Sequence, residues 1–206
     1  MNSHRWPSAV IKPASGIGCV GVMRVTLNEH ESGQEHLETL LENGPALIQE
    51  HLPSVESDGE VSVVCINGKA THSVRRVPRR GDFLAHYTRG GNEEVITVQD
   101  DARDMALRAL QVFGSGAVCA RVDLLTNNCG TLLVCEVEVV APLLYIQHAP
   151  HVCRYIALAV DQRLAGRVAE SISLSLSRLT GCDGILCGRT VSNQILRQLA
   201  LNNTYD

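Results

Sequence analysis

Short apolar runs separated by Gly, Pro and Asn fill the first two thirds of the chain, and helical spacing takes over in the last third. Ala9-Val10-Ile11 predicts a strand and Val20–Leu27 its partner, so residues 9–27 read as a hairpin with a long Gly/Ser tip. Leu37, Leu40 and Leu41 predict a helix over 34–42, ended by Gly44-Pro45. Ala46–Leu52 predicts a strand, followed by a polar loop over 54–59. Glu60–Ile66 and Ala70–Val77 flank Asn67-Gly68, which is the clearest hairpin signal in the chain. A Gly-rich basic loop over 79–92 follows, and Asp100–Phe113 predicts an amphipathic helix with an acidic first turn, closed at Gly114. From about residue 150 the pattern is helical, broken by a Gly-rich stretch at 181–188 before a final helix, Val191–Leu201.

The stretch from Arg121 to Pro142 departs from this ordinary patterning. Two apolar runs joined by Asn127-Asn128-Cys129-Gly130 carry three carboxylates, although acidic residues are poor strand formers and costly to desolvate. Glu136 and Glu138 lie two apart, so a strand projects both to one face, with Leu133, Cys135, Val137 and Val139 on the other. A loop of residues 127–130 pairs Thr126 with Thr131 and sets Asp123 opposite Val134, diagonal to Glu136 on the same face. Three hard oxygen donors on neighbouring strands suit Mg²⁺ that also holds substrate phosphates. An amphipathic hairpin whose acidic face is simply wet accounts for the same pattern.

Composition narrows the classes. Hydrophobic content of 45% and charge content of 19% fit a globular protein, and 3% aromatics means a core of aliphatic side chains and Cys. A net charge of −4 argues against nucleic acid and anionic membranes as partners. Lys12 and Lys69 are the only lysines, so any amine role falls to them. The eight cysteines form no C-x-x-C pair and mostly sit in apolar runs, which predicts reduced thiols and no zinc site. Cys182 and Cys187 lie in the Gly-rich stretch without nearby His. Residues 1–7 lack a signal-peptide core, and no segment is apolar enough to span a bilayer, so the expected location is cytoplasmic.

Individual motifs are weak. Gly16, Gly18 and Gly21 match a dinucleotide fingerprint, but a strand pattern rather than a helix follows, which excludes the Rossmann reading. A Gly-rich tip between strands can still cradle phosphates through backbone N–H groups, with Lys12 at its mouth to neutralise charge. Gln49, Glu50, His51 and Leu52 end a strand at a loop. Arg75, Arg76, Arg79, Arg80 and Arg89 form a basic cluster suited to carboxylate or phosphate, or merely a solvated face. His51, His72, His86 and His148 lack paired spacing and read as structural or surface groups.

The order of these signals is more specific than any one of them. Val10-Ile-Lys-Pro with its Gly-rich hairpin, Leu47-Ile-Gln-Glu-His-Leu-Pro, Gly59-Glu60, Arg75-Arg-Val-Pro before Gly81-Asp-Phe, Gly90-Gly91, Arg121-Val-Asp and Glu136-Val-Glu-Val-Val-Ala-Pro together resemble the ATP-grasp ligases over residues 9–160. The resemblance is to the bacterial glutathione synthetase branch and the related cycloserine-pathway ligases. It implies an α+β fold in which two subdomains grip ATP. It further implies Lys12 and the Gly16/Gly18/Gly21 hairpin on the ATP phosphates, Gln49–Leu52 at the adenine and Glu60 at the ribose. By the same resemblance Asp123, Glu136 and Glu138 hold two Mg²⁺ (or Mn²⁺) ions, and Arg76 reaches the substrate or the transferred phosphate. The implied reaction is ATP-dependent joining of a small carboxylate and an amine, both amino-acid-like, through an acylphosphate.

Two departures qualify the expectation. The family places a small α/β domain and another phosphate-binding lysine ahead of the Lys12 strand, so the chain is expected to be N-terminally truncated. That expectation brings a homo-oligomer or a separate N-terminal partner. Related ligases carry Gly-Asp-Phe-Arg where Gly81-Asp82-Phe83 is followed by Leu84, removing an oxyanion contact of about 1.5–3 kcal/mol. Arg80 and Arg89 both stand as replacements. The expected organisation is a first subdomain over 1–53, a second over 54–165 and a helical extension over 166–206. A degenerate module that binds nucleotide without ligating is the competing functional expectation.

Overall fold

The computed structural model describes residues 6–113 and 116–180. Residues 1–150 form one compact unit and residues 151–206 a second. The expectations for Gly114, for the break at 181–188, for Cys182 and Cys187 and for the helix over 191–201 lie outside the described residues.

The first unit holds two antiparallel sheets. In the smaller, β1 (Ser8–Pro13) lies between β2 (Met23–Thr26) and β3 (Ala46–Glu50), with Ile11 opposite Met23 and Lys12 opposite Leu47. Ala9, Ile11 and Val25 are buried against Leu37 and Leu40 of α1 (His30–Leu41). The helix begins earlier than its leucines suggest. Thr26 and Glu29 cap its approach, with the Thr26 amide and hydroxyl both donating to Glu29 Oε2 at 2.9 and 2.8 Å. This Thr-x-x-Glu signal was readable in the chain. The expected polar loop after β3 contains a single turn of helix, α2 (Ser54–Ser57).

The larger sheet runs β6-β5-β4-β7-β8. Its centre is the hairpin of β4 (Glu60–Ile66) and β5 (Lys69–Val77), turned at Asn67 and Gly68, whose φ values of 49° and 74° are what a type I′ turn requires. β6 (Asn92–Ile96), unexpected from the pattern because Glu93 and Glu94 are weak strand formers, pairs with β5, and Arg75 meets Glu94 across it at 2.6 Å. α3 (Asp100–Phe113) matches its expected bounds and buries Ala102, Ala106, Ala109 and Leu110, the i, i+4, i+7, i+8 stripe, on one face of the sheet. Small alanines let the helix sit close on Val63, Cys65, Ala120, Val122 and Leu124.

β7 (Cys119–Thr126) and β8 (Leu132–Glu138) form the acidic hairpin, but its register differs from expectation. Asn127 Oδ1 accepts from the amides of Cys129 and Thr131, so the turn spans residues 127–131 and Thr126 pairs with Leu132, not Thr131. That slip alone would turn Asp123 away from the glutamates. A bulge corrects it: Leu124 faces Val134 while Asp123 faces Glu136, leaving Cys135 as the extra residue. Asp123 is therefore directly opposite Glu136 rather than opposite Val134. Leu133 pairs with Leu125, on the Asp123 side, instead of sharing the face of Val137 as strict alternation required.

In the second unit, α4 (Val152–Thr180) is a single helix, in line with the helical pattern expected from about residue 150. Among the described residues no helix is long and apolar enough to cross a membrane.

Candidate functional site

Strand alternation gives the larger sheet two chemically distinct faces. Ala120, Val122 and Leu124 of β7 point to α3, so Arg121 and Asp123 point to the opposite face, joined there by Ser62 and Glu60 of β4 and Arg76 of β5. Asp123 is 0% exposed. Ser62 Oγ donates to its Oδ1 at 2.8 Å, Arg121 contacts both oxygens at 2.7–3.1 Å, and Arg76 Nη2 reaches Oδ2 at 2.8 Å. A buried carboxylate alone would be strongly disfavoured, but two guanidiniums and a hydroxyl compensate it. Burial pushes the Asp123 pKa up, while the charges of Arg76 and Arg121 and the hydrogen bonds from Arg121 and Ser62 outweigh it and hold the group below the usual range.

Glu136, Glu138 and Asp123 each bring a carboxylate oxygen to within 4.8 Å of the others. Their availability differs. Glu138 Oε1 accepts from Arg121 at 2.6 Å, and Glu136 is solvent-exposed with no ion pair among the described residues. Burial and the negative charges of Asp123 and Glu138 raise the Glu136 pKa, which is the electrostatic signature of clustered carboxylates facing one another. Hard oxygens gathered this closely, with surplus negative charge, fit a divalent cation of the Mg²⁺ class. Glu136 is the open donor, Glu138 offers the oxygen outside its Arg121 contact, and Asp123 would join by exchanging one guanidinium contact.

Glu60 is the second buried acid of this face, 2.8 Å from Arg76 Nη2. Burial and repulsion from Asp123 outweigh Arg76 and push its pKa up to about 8. Arg76, expected at the substrate, is 7% exposed and spends Nη2 on Glu60 and Asp123 and Nη1 on the Ala85 carbonyl at 3.3 Å. It thus ties both acids and the loop after β5 together.

The smaller sheet faces these groups through the hairpin between β1 and β2. Lys12 is half-buried at the end of β1, and its positive charge lowers the pKa of Glu136 against the other influences. Gly18, Cys19 and Gly21 all take positive φ, at 65°, 62° and 74°. A Cβ on Gly21 would lie 3.1 Å from Leu40 and 3.2 Å from Pro13, so this position needs glycine for space as well as conformation. Gly16 needs neither and is simply exposed. Burial, with the charges of Glu60 and Glu136, pushes the Cys19 thiol up against the opposing charges of Arg76 and Arg89, so the hairpin tip lies within electrostatic reach of these groups.

The residues expected at the adenine, which form the hinge leading from the smaller sheet toward the larger, divide. Gln49 and Glu50, which close β3, are half-buried, whereas His51 and Leu52 are buried. Leu52 packs with Val55, Ala85, Leu125 and Phe83, and His51 meets Ser8 Oγ at 3.2 Å and the edge of Phe83. Their side chains therefore hold the end of this segment in place. Arg24 of β2 fastens the two sheets, pairing with Glu56 at 2.7 Å and lying 5.3 Å over Phe83. His72, bonded to the Leu144 carbonyl at 3.0 Å, and His148, 3.3 Å from Glu93, hold the segment after β8, which agrees with their structural reading.

Sequence reasoning assigned no role on this face to Ser62 or Arg121. Ser62 and Arg121 were findable, since each lies two positions from a singled-out acid in a strand of period two.

The chain matches the family described as "RimK-like ATP-grasp domain" over residues 5–152. It is 26% identical over 135 residues to the glutathione synthetase of Prochlorococcus marinus subsp. pastoris, a match covering 65% of this chain and 42% of that protein. It is 31% identical over 130 residues to a protein of Mannheimia succiniciproducens named "Probable alpha-L-glutamate ligase", covering 63% of this chain and 42% of that one. The crystal structure of D-cycloserine synthetase DcsG superposes with a TM-score of 0.70 at 26% identity, covering 79% of this chain and 58% of that one. The chain thus spans less than half the length of the two curated relatives. With the family match taking in both sheets and the acidic face between them, this chain belongs to the RimK-like ATP-grasp family.

Proposed function

We propose that the protein is an ATP- and Mg²⁺-dependent carboxylate–amine ligase. ATP and Mg²⁺ are what ATP-grasp ligases use, and the observation that carries the reading here is the convergence of Asp123, Glu136 and Glu138 beneath a Gly-rich hairpin that begins at Lys12. In this reading the γ-phosphoryl group passes from ATP to a carboxylate oxygen, releasing ADP. The amine then attacks the acyl carbon, forming the amide and releasing inorganic phosphate and a proton.

Bound Mg²⁺ would neutralise phosphate oxygens and stabilise charge on the transferring group. Glu136 and Glu138 would hold it, with Asp123 contributing from its buried position. Lys12 supplies a point charge to the phosphates, and the hairpin carrying Gly16, Gly18 and Gly21 offers backbone N–H groups and closes the site against water that would hydrolyse the acylphosphate. The hinge at Gln49–Leu52 meets the adenine through its backbone, and Glu60 is assigned to the ribose. Arg76 fixes Asp123 and Glu60 at the edge of the reaction space. Positioning and charge neutralisation suffice for this chemistry, which needs no protein nucleophile. A cytoplasmic location, where ATP is abundant and thiols stay reduced, belongs to the same reading.

A nucleotide-binding module without ligase activity is the second reading. Leu84 favours it, at the position where the resemblance implies a guanidinium. Phosphate release from ATP with Mg²⁺, measured over a panel of amino acids and small carboxylates, separates the two. Substrate-stimulated release establishes the ligase, ATP binding without stimulation establishes the module, and absence of ATP binding overturns both.

A further inference from the structure

The three carboxylates offered above to a divalent cation already have a positive charge of the protein's own among them. The register of β7 and β8 sets Arg121 directly opposite Glu138 and Asp123 directly opposite Glu136, and alternation keeps Arg121 and Asp123 on one face. A single nitrogen, Arg121 Nη2, then donates to Asp123 Oδ2 at 2.7 Å and to Glu138 Oε1 at 2.6 Å. Arg121 Nε donates to the other Asp123 oxygen, Oδ1, at 2.8 Å. The Tyr145 ring, itself fully buried, backs the guanidinium at 5.9 Å.

Asp123 has no oxygen to spare. A carboxylate offers about four lone-pair positions, and here Ser62 Oγ and Arg121 Nε meet Oδ1 while Arg76 Nη2 and Arg121 Nη2 meet Oδ2. An ion that draws on Asp123 must therefore displace one of these donors. Arg76 Nη2 is tied to Glu60, which lies outside the carboxylate cluster, and Ser62 sits behind Asp123 on β4. Nη2 of Arg121 is the donor shared with a second candidate ligand, Glu138, whose side chain is 29% exposed. Among the described residues Arg121 is the one arginine paired with two of the three clustered carboxylates. Mg²⁺ binds oxygens at about 2.0–2.1 Å, so an ion set between Asp123 and Glu138 takes the space that Nη2 fills, and the two positive charges repel.

Resting on the proposed cation site, we propose that Arg121 is a built-in competitor for it, and that a divalent ion reaches Asp123 only in exchange for Nη2. Arg121 then keeps the affinity for free cation low. The site fills instead with the cation that arrives on a nucleotide, whose phosphate oxygens offer the displaced guanidinium new acceptors. A residue that merely oriented the two carboxylates for the ion has the opposite signature, because its removal weakens cation binding.

The test titrates Mn²⁺ into the full chain, reading the loss of the free ion's paramagnetic resonance signal, for wild type, Arg121→Lys and Arg121→Gln, with and without ADP. Without nucleotide, affinity should rise roughly tenfold or more in Arg121→Gln, which removes the competing charge. Arg121→Lys keeps the charge but loses the fork, so a gain of roughly threefold is expected. Thermal melts of the same samples establish folding, and if Arg121→Gln does not fold, Arg121→Lys decides alone. Unchanged or weaker nucleotide-free Mn²⁺ binding in the deciding variant overturns the competitor role, and ADP–Mn²⁺ binding by wild type then leaves the proposed function standing. Failure of wild type to bind ADP with Mn²⁺ overturns the proposed function instead. The competitor role is upheld even then by a nucleotide-free gain in the deciding variant, and falls without one.

Discussion

Asp123 and Glu136 lie directly opposite each other on paired strands, yet neutralising them should have opposite signatures. Asp123 is 0% exposed and compensates two guanidiniums. Asp123→Asn removes the shared counter-charge, and breaking a buried pair costs about 3–5 kcal/mol. Arg121 retains Glu138, and Glu60, relieved of repulsion from Asp123, can ionise beside Arg76, which places the loss near the lower end, about 3 kcal/mol. For a chain of this size that is a fall in Tm of about 6–12 °C. Glu136 is exposed and crowded by like charge, so solvent screening limits the effect of Glu136→Gln to roughly 0.5 kcal/mol in either direction. Its cost falls on the cation. A ligand at a hundred times its Kd stabilises by about 2.7 kcal/mol, a rise of roughly 5–11 °C. Thermal melts with and without ATP–Mg²⁺ should show that rise in wild type and its loss by half or more in Glu136→Gln. A full Mg²⁺-dependent rise in Glu136→Gln, or an unshifted melt in Asp123→Asn, would refute the division into an open cation ligand and a buried charge anchor.

Three further outcomes follow from single residues. The Glu60 pKa is raised from 4.5 to about 8, so the folded state holds a proton that the unfolded chain has released across that window. Unfolding free energy should therefore fall as pH rises from about 5 to 8, by up to a few kcal/mol, and urea melts of Glu60→Gln should lose most of that slope. Gly59→Ala would set a Cβ 2.5 Å from the Arg76 carbonyl at a φ of 80°, so a loss of about 3 kcal/mol or more is expected in denaturant midpoint; a midpoint unchanged from wild type would contradict the close approach. Lys12→Ala should weaken ATP–Mg²⁺ binding at least tenfold in calorimetric titration while shifting the nucleotide-free Tm by less than 2 °C.

The central hairpin, α3 and the overall order of elements were legible because their signals are local. Asn67-Gly68 can satisfy a type I′ turn almost alone, and the Ala/Leu stripe of α3 has one consistent period. The edge strand β6 was not legible, since Glu93 and Glu94 are accommodated by pairing with β5, and Glu94 meets Arg75 there. Among the singled-out residues, His51 and Leu52 were ligand candidates by position but are buried supports, a difference set by Phe83 and Ala85 from a distant part of the chain.

By itself the sequence determined which chemical types were present and in what order: one lysine beside a Gly-rich hairpin, a hinge, a basic loop and three carboxylates in apolar strands. That order sufficed for the family. Tertiary structure decided which of those groups are free to act. A bulge at Cys135 restored Asp123 to the face of Glu136 after a register slip that alternation alone could not reveal. Arg121, Arg76 and Ser62 then made Asp123 a buried anchor and left Glu136 open, and Asp82 fixed one arginine of an otherwise equivalent basic cluster. Register, burial and ion-pair partners depend on contacts between residues far apart in the chain, and it is these that separate a cation ligand from a structural carboxylate.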